Sequence, residues 1–191
     1  MPMMPDDVVL LDAAGRPNGR APRAHVHDHA TPLHLAFSCY VFDSQGRVLL
    51  TRRSLAKRTW PGVWTNSFCG HPRPGEEPRA AVVRHAASEL ALVLDDLELV
   101  LPRFRYCATD ASGVVENEVC PVWFATTRRA PDPDPAEVAE LRWVTPQELG
   151  RAVDAAPWAL SPWMVEQVLQ LGDLVEDDTT TSPSDLVGMV G

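Results

Sequence analysis

The sequence predicts an α+β domain, and three observations carry that expectation. Apolar, strand-like runs occur in pairs joined by short Gly turns, over His34–Arg53 and over Leu97–Thr127. Between the two pairs lies a stretch of three- and four-residue apolar periodicity, from Glu76 to about Val93. After the second pair, Thr145, Pro146 and Glu148 form the pattern of a capped helix start. The length of 191 residues fits one domain, drawn over 1–175, with an acidic tail over 176–191 that lacks periodicity.

In chain order, DDVVLLDAAGRP reads as a short strand closed by a Gly turn, and HLAFSCYVFDSQGRVLLTRR as a hairpin turning at Ser-Gln-Gly. The segment SLAKRTWPGVWTNSFCGHPRPGEE is too rich in Pro, Gly, Trp and Asn for a regular element, and a loop of that length in a compact domain points to function. The helix that follows sets Val83, Ala86 or Ala87, Leu90 and Val93 or Leu94 on one stripe, and makes His85 and Glu89 i,i+4 neighbours. LELVLPRFRYCAT and VVENEVCPVWFATT read as two strands joined by an Asp-Ala-Ser-Gly turn. A Pro- and acid-rich loop, the strand ELRWVT, the helix capped by Thr145 and a last helix from Pro162 to about Leu171, capped by Ser161, complete the domain.

The net charge of -9 is unevenly placed. The first 131 residues carry 15 basic and 14 acidic side chains, the remainder 2 and 12. Nucleic acid is thereby excluded as main partner, because that binding needs a broad basic face. No apolar run reaches bilayer length and the start is acidic rather than basic, so a cytoplasmic protein without a membrane partner is expected. Cys39, Cys69, Cys107 and Cys120 form no CxxC pair, which argues against a zinc knuckle and a disulfide framework.

Five histidines, His25, His27, His29, His34 and His71, fall near the ends of the first hairpin, a crowding that suits a metal site. On a strand, His25, His27 and His29 would share a face. In VENEV, Glu116 and Glu118 project from one strand face, where two carboxylates repel unless a cation or proton lies between them. A solvated histidine loop and an exposed polar strand face are the plainer readings of the same residues.

GHPRPGEEPRAAVVRHAASELAL, from Gly70, resembles the Nudix box at Gly70, Glu76, Arg84 and Glu89. His85, Ser88 and Ala91 stand where that motif has Glu, Glu and Gly. The lost glutamates argue against ordinary metal-dependent pyrophosphate hydrolysis while leaving the fold. With LHLAFS (33–38), TRRSLAKRTWPGVWTNSFCGHP (51–72), FRYCATD (104–110), ENEVCPV (116–122) and SPWM (161–164), the chain resembles the type I isopentenyl-diphosphate isomerases from about residue 7 to about 170.

That resemblance implies a Nudix-like mixed β-sheet sandwich flanked by helices, with a short N-terminal extension. It implies interconversion of isopentenyl and dimethylallyl diphosphate, within isoprenoid biosynthesis, through a tertiary carbocation. It assigns His27, His34, His71, Glu116 and Glu118 to a site for Mn2+ or Mg2+, and Glu89 to a second Mg2+ that arrives with the substrate diphosphate. Cys69 and Glu118 match the acid/base pair, and Tyr106 and Trp163 the site's aromatic residues.

The chemistry gives these residue types a reason: alkene protonation needs an acid and a base in a place where water cannot trap the cation. A Trp face attracts a cation. For a lone Cys the ordinary role is a small buried hydrophobe, which is the expectation for Cys39, Cys107 and Cys120.

Between Arg47 and Arg84 lie eight basic and two acidic residues. Of the basic residues, Arg53 and Lys57 are favoured for the diphosphate, with Arg23 and His85, and the rest are expected on the solvated surface. The expected partner is a small isoprenoid diphosphate, and the expected state a monomer or weak dimer. A Nudix-type diphosphate hydrolase and a non-catalytic metal- or phosphate-binding module are the alternatives. Release of phosphate without isomer would favour the hydrolase.

Overall fold

The computed structural model describes residues 6–172, so the tail assigned to 176–191 lies outside the described residues. In chain order they form β1 (Asp7–Leu11), β2 (Pro17–Pro22), α1 (Arg23–Val26), β3 (His34–Leu35), β4 (Phe37–Phe42), β5 (Val48–Arg53), β6 (Trp64–Thr65) and β7 (Phe68–Gly70). There follow α2 (Pro78–Leu90), β8 (Leu97–Leu101), β9 (Arg105–Thr109), β10 (Val115–Val119), β11 (Val122–Thr126), β12 (Val138–Val144), α3 (Pro146–Ala155) and α4 (Pro162–Gln170).

Two mixed sheets result. One runs β2-β1-β3-β10-β9, the other β12-β5-β4-β11-β8, with β6 against β5 and β7 against β4. The N-terminal extension is therefore an integral hairpin of the first sheet.

Three ribbons that read as single strands each break and pass from one sheet to the other. β3 and β4 are separated by Ala36, β8 and β9 by a turn at Pro102, and β10 and β11 by Cys120-Pro121. Proline offers no N–H to a ladder, so a ribbon interrupted there changes partners cheaply. The pairing nevertheless continues across one break. Ala36 N donates to the carbonyl of Val119 and Ser38 N to that of Pro121, joining the parallel pairs β3·β10 and β4·β11.

Strand alternation on β4 then sorts the core. Tyr40 and Phe42 join one cluster with Phe124, Leu149, Val153, Trp163 and Val168, the side of α3 and α4. Phe37, Cys39 and Val41 join the other with Ala81, Val82, Ala86 and Leu90 of α2. Helices thus cover both faces of the larger sheet.

Several expectations are corrected. The buried stripe of α2 runs through Ala81, Val82, His85, Ala86 and Leu90, while Val83 is 46% exposed and Val93, beyond the helix, 55%. The helix ends at Ala91 in the left-handed conformation, φ 51°, three residues sooner than periodicity alone indicates. The long loop after Arg53 carries two short strands, β6 and β7. Its Thr65, Asn66 and Ser67 are buried, and the side chains of Asn66 and Ser67, rather than a long ladder, satisfy the backbone there. The α3 capping box of Thr145 and Glu148 is present, but the Ser161 hydroxyl bonds Thr65 Oγ1 at 2.7 Å instead of capping α4. Cys107 is exposed, since it lies on the outward side of β9.

Candidate active site

The site forms where the ribbons break. The register of the first sheet sets Glu118 of β10 beside His34 of β3 and beside Tyr106 of β9. The register of the second sets Cys69 of β7 beside Ser38. His71 follows β7 directly, and His27 is the C-cap residue of the single helical turn α1.

His27, His34, His71 and Glu118 bring one ligand atom each to within 4.8 Å of the others. Glu118 Oε1 lies 3.2 Å from His71 Nε2, 3.3 Å from His34 Nε2 and 3.6 Å from His27 Nε2. Burial works against the Glu118 charge, but the three imidazoles gathered around it prevail and hold its carboxyl well below the usual range. Burial lowers the His71 value to about 4, leaving that ring neutral and able to ligate. Burial also opposes charge on His34, yet its bond to Glu118 outweighs this and raises it.

The donor set suits a divalent cation, and one atom asks for it: His27 Nε2 is buried without a hydrogen-bond partner. His34 meets the usual requirement for an oriented ligand, its Nδ1 lying 2.9 Å from the carbonyl oxygen of Pro32.

Glu116 is not one of these four; one of its oxygens accepts from Thr59 Oγ1 and the other lies 2.6 Å from Tyr106 Oη. One sequence expectation for the histidines changes. His25 and His29 do not share a face with His27, because α1 replaces the expected strand. His29 Nδ1 instead lies 2.7 Å from the carbonyl of Gly113. The plainer reading of VENEV also falls, since Glu116 and Glu118 are only 5% and 4% exposed.

A cavity of about 310 Å³ adjoins the cluster, and Arg23, Arg53, Lys57, His85, Glu89, Cys69, Tyr106 and Trp163 all line it. The size suits a small ligand. Tyr106 Oη reaches Glu118 Oε2 at 2.8 Å as well as Glu116, and burial beside those carboxylates pushes its own ionisation far up. Burial raises the Cys69 thiol to about 11, so it keeps its proton at neutral pH. Tyr106 and Trp163 pack with ring centroids 5.5 Å apart, and Arg53 Cζ lies 5.5 Å from the Trp163 ring.

Lys57 is paired with Glu137, and Arg53 donates to the carbonyl of Thr59 at 2.8 Å. His85 Nδ1 lies 2.6 Å from Glu89 Oε1. Its ring sits 2.6 Å from where a Cβ on Gly70 would be, so only glycine allows that approach. Of the basic residues assigned to the solvated surface, Arg84 differs. It ties α2 to the preceding loop through Glu76 at 2.7 Å and the carbonyl of His71 at 3.1 Å.

Sequence reasoning missed Thr59, Asn66, Ser38, Gln167 and Glu137. Thr59 and Asn66 lie inside the long Trp-, Pro- and Asn-rich loop, whose composition was their only signal.

The NUDIX domain model matches residues 32–166. Crystal structures share the architecture: a Deinococcus radiodurans protein has a TM-score of 0.66 at 19% identity, covering 86% of this chain and 98% of its own. A MutT protein from Methanosarcina mazei has a TM-score of 0.56 at 20% identity, covering 73% and 92%. Fold and box remnant together define a Nudix-class protein.

The isopentenyl-diphosphate Delta-isomerase of Frankia alni is 61% identical over 167 residues, 87% of this chain and 86% of that one. That of Clavibacter michiganensis subsp. michiganensis is 59% identical over 168 residues, 88% and 87%. Within the Nudix class, the chain belongs to the isopentenyl-diphosphate Delta-isomerase family.

Proposed function

We propose that the chain interconverts isopentenyl and dimethylallyl diphosphate. The observation that carries this reading is a protonated thiol, Cys69, and an ionised carboxylate, Glu118, lining one cavity together with basic and aromatic side chains. A hydrolase would instead need the box glutamates that His85 and Ser88 replace.

The Cys69 proton passes to the terminal alkene carbon, whose π electrons form the new C–H bond and leave a tertiary cation at the branched carbon. Glu118 then takes a proton from the carbon on the far side, and that C–H pair becomes the new double bond. Exchange with water after product release resets both groups.

The Trp163 face offers the cation an electrostatic partner, worth roughly 2 kcal/mol in a dry site. Arg53 lies close to the same ring, so its charge must be matched by the diphosphate. Arg23, Lys57 and His85 complete that subsite, Lys57 exchanging Glu137 for a phosphate oxygen. Tyr106 holds Glu118 Oε2 while Oε1 faces the histidines.

A divalent cation, Mn2+ or Mg2+, held by His27, His34, His71 and Glu118 would fix that carboxylate, and Mg2+ at Glu89 would offset diphosphate charge. The reading carries with it a single isomerase domain over 1–175, working in the cytoplasm as a monomer or weak dimer. No helix among the described residues is long and apolar enough to cross a membrane.

The test is incubation with isopentenyl diphosphate and Mg2+, following dimethylallyl diphosphate and free phosphate separately. Isomer without phosphate is expected, and phosphate without isomer would overturn the assignment.

A further inference from the structure

Asn66 is wholly buried and all its side-chain hydrogen-bonding capacity is used. Its Nδ2 donates to the carbonyls of Cys39 at 3.0 Å and Phe68 at 2.8 Å, which fixes which end of the amide is oxygen. Its Oδ1 then accepts from three donors: Thr65 Oγ1 at 2.9 Å, Trp163 Nε1 at 3.0 Å and Cys69 Sγ at 3.3 Å. One carbonyl oxygen therefore gathers the indole and the thiol that the proposed reaction needs on the same cation.

The arrangement is braced on both sides. Thr65 Oγ1 is also bonded to Ser161, the N-cap residue of α4, and Trp163 is the second residue of that helix. Behind the thiol, Ser38 Oγ lies 3.3 Å from Cys69 Sγ and accepts from Gln167 Nε2 at 2.9 Å, again from α4. The helix bearing Trp163 and the strand bearing Cys69 thus share their buried polar contacts. Among the described residues, the amide oxygen of Asn66 is hydrogen-bonded to both the indole and the thiol.

We infer that Asn66 is a positioning residue, holding the Trp163 indole and the Cys69 thiol in one fixed geometry around the substrate's branched carbon. The inference rests on the proposed isomerase reading. Since it concerns the geometry of reacting groups and not the capture of the diphosphate, loss of the amide should appear in kcat and leave KM and metal binding nearly unchanged. Misplacement of about 1 Å in such groups costs on the order of 100-fold in rate.

The experiment is a double-mutant cycle in the isomerase assay. Asn66→Ala is expected to lower kcat about 100-fold with KM within about threefold, while Mn2+ bound per chain stays at the wild-type value. Trp163→Phe keeps an aromatic face but loses the N–H. It should lower kcat about tenfold in the wild type and scarcely at all in Asn66→Ala, because the shared interaction has already gone.

Equal losses in the two backgrounds, or a wild-type kcat in Asn66→Ala, would overturn the inference. Should Asn66→Ala not fold, Asn66→Ser takes its place in the cycle, with the same outcomes supporting or overturning the inference. If the wild type makes no dimethylallyl diphosphate, the functional reading fails instead. The placement of the indole is then still read from its N–H resonance, assigned by its loss in Trp163→Phe and expected to move in Asn66→Ala. A resonance that does not move would show that Asn66 leaves the indole free.

Discussion

β10 and β11 are two halves of one ribbon, parted at Cys120-Pro121, and both carry buried side chains, yet they bury opposite chemistry. β10 turns Glu116 and Glu118 inward, whereas β11 turns Val122, Trp123, Phe124 and Ala125 into the two apolar clusters. The second half stabilises the fold by removing apolar area from water, roughly 1.5–3 kcal/mol for each fully buried large side chain. The first half gives no such return. Its carboxylates are retained because three imidazoles, Tyr106 and Thr59 surround them, an arrangement that contributes charge at a fixed place more than stability. Burial by itself therefore does not distinguish scaffold from site; the partners of the buried atoms do.

The comparison is sharpest at Glu118. Glu118→Gln should lower isomerase turnover by at least about 10³-fold, with metal content also reduced. Its metal-free melting temperature should change less than that of any large-to-small change on β11, since the substitution removes a buried charge and opens no cavity. A variant that melts like a core mutant would break the distinction.

On the other half, Phe124→Ala should cost about 3 kcal/mol in denaturant unfolding while leaving kcat per folded molecule near wild type. A large loss of kcat there would mean that the two halves are not separable.

A smaller effect tests the thiol. Its folded value of about 11 exceeds the ordinary 9.0, so between those pH values the unfolded chain gives up a proton that the folded chain keeps. The contribution is present below pH 9 and is lost as pH rises through that window. Wild-type protein should therefore lose more stability from pH 9 to pH 11 than Cys69→Ala, the other buried thiols and tyrosines being common to both. Equal losses would place Cys69 in a less buried setting.

The smallest expected change lies far from either half. Ala91 holds a left-handed conformation at the position where the box has glycine, so Ala91→Gly should stabilise the protein by about 0.5–1 kcal/mol without altering turnover. Thermal melting checks it.

The elements themselves were legible. Apolar runs joined by Gly turns marked the strands, periodicity the long helix, and Thr145 to Glu148 a capping box that is present as expected. The breaks at Pro102 and Pro121 lie inside runs that read as single strands, and the exchange of sheets there has no local signal. Which sheet β10 and β11 join depends on the pairs Glu118–His34 and Val122–Ser38, which are distant in sequence, and no local pattern encodes that.

The resemblance singled out the histidines and carboxylates that meet in or beside the cavity, with Glu116 bonded to Thr59 and to the same Tyr106 that holds Glu118. Asn66, Ser38 and Gln167 stayed invisible for a different reason. A lone polar residue has the same sequence signature whether it faces solvent or closes a buried network.

The order in which the chain is made gives the break in the ribbons a temporal meaning. His27, His34 and His71 all leave the ribosome before Glu118, the register partner of His34. The parallel pairing that joins them closes a long loop, and such non-local contacts form late in folding. A nascent chain therefore exposes three imidazoles with no carboxylate to complete the set, and only a nearly finished domain presents all four donors. The four donors thus come together only after the chain has been made past Glu118 and β10 has paired with β3.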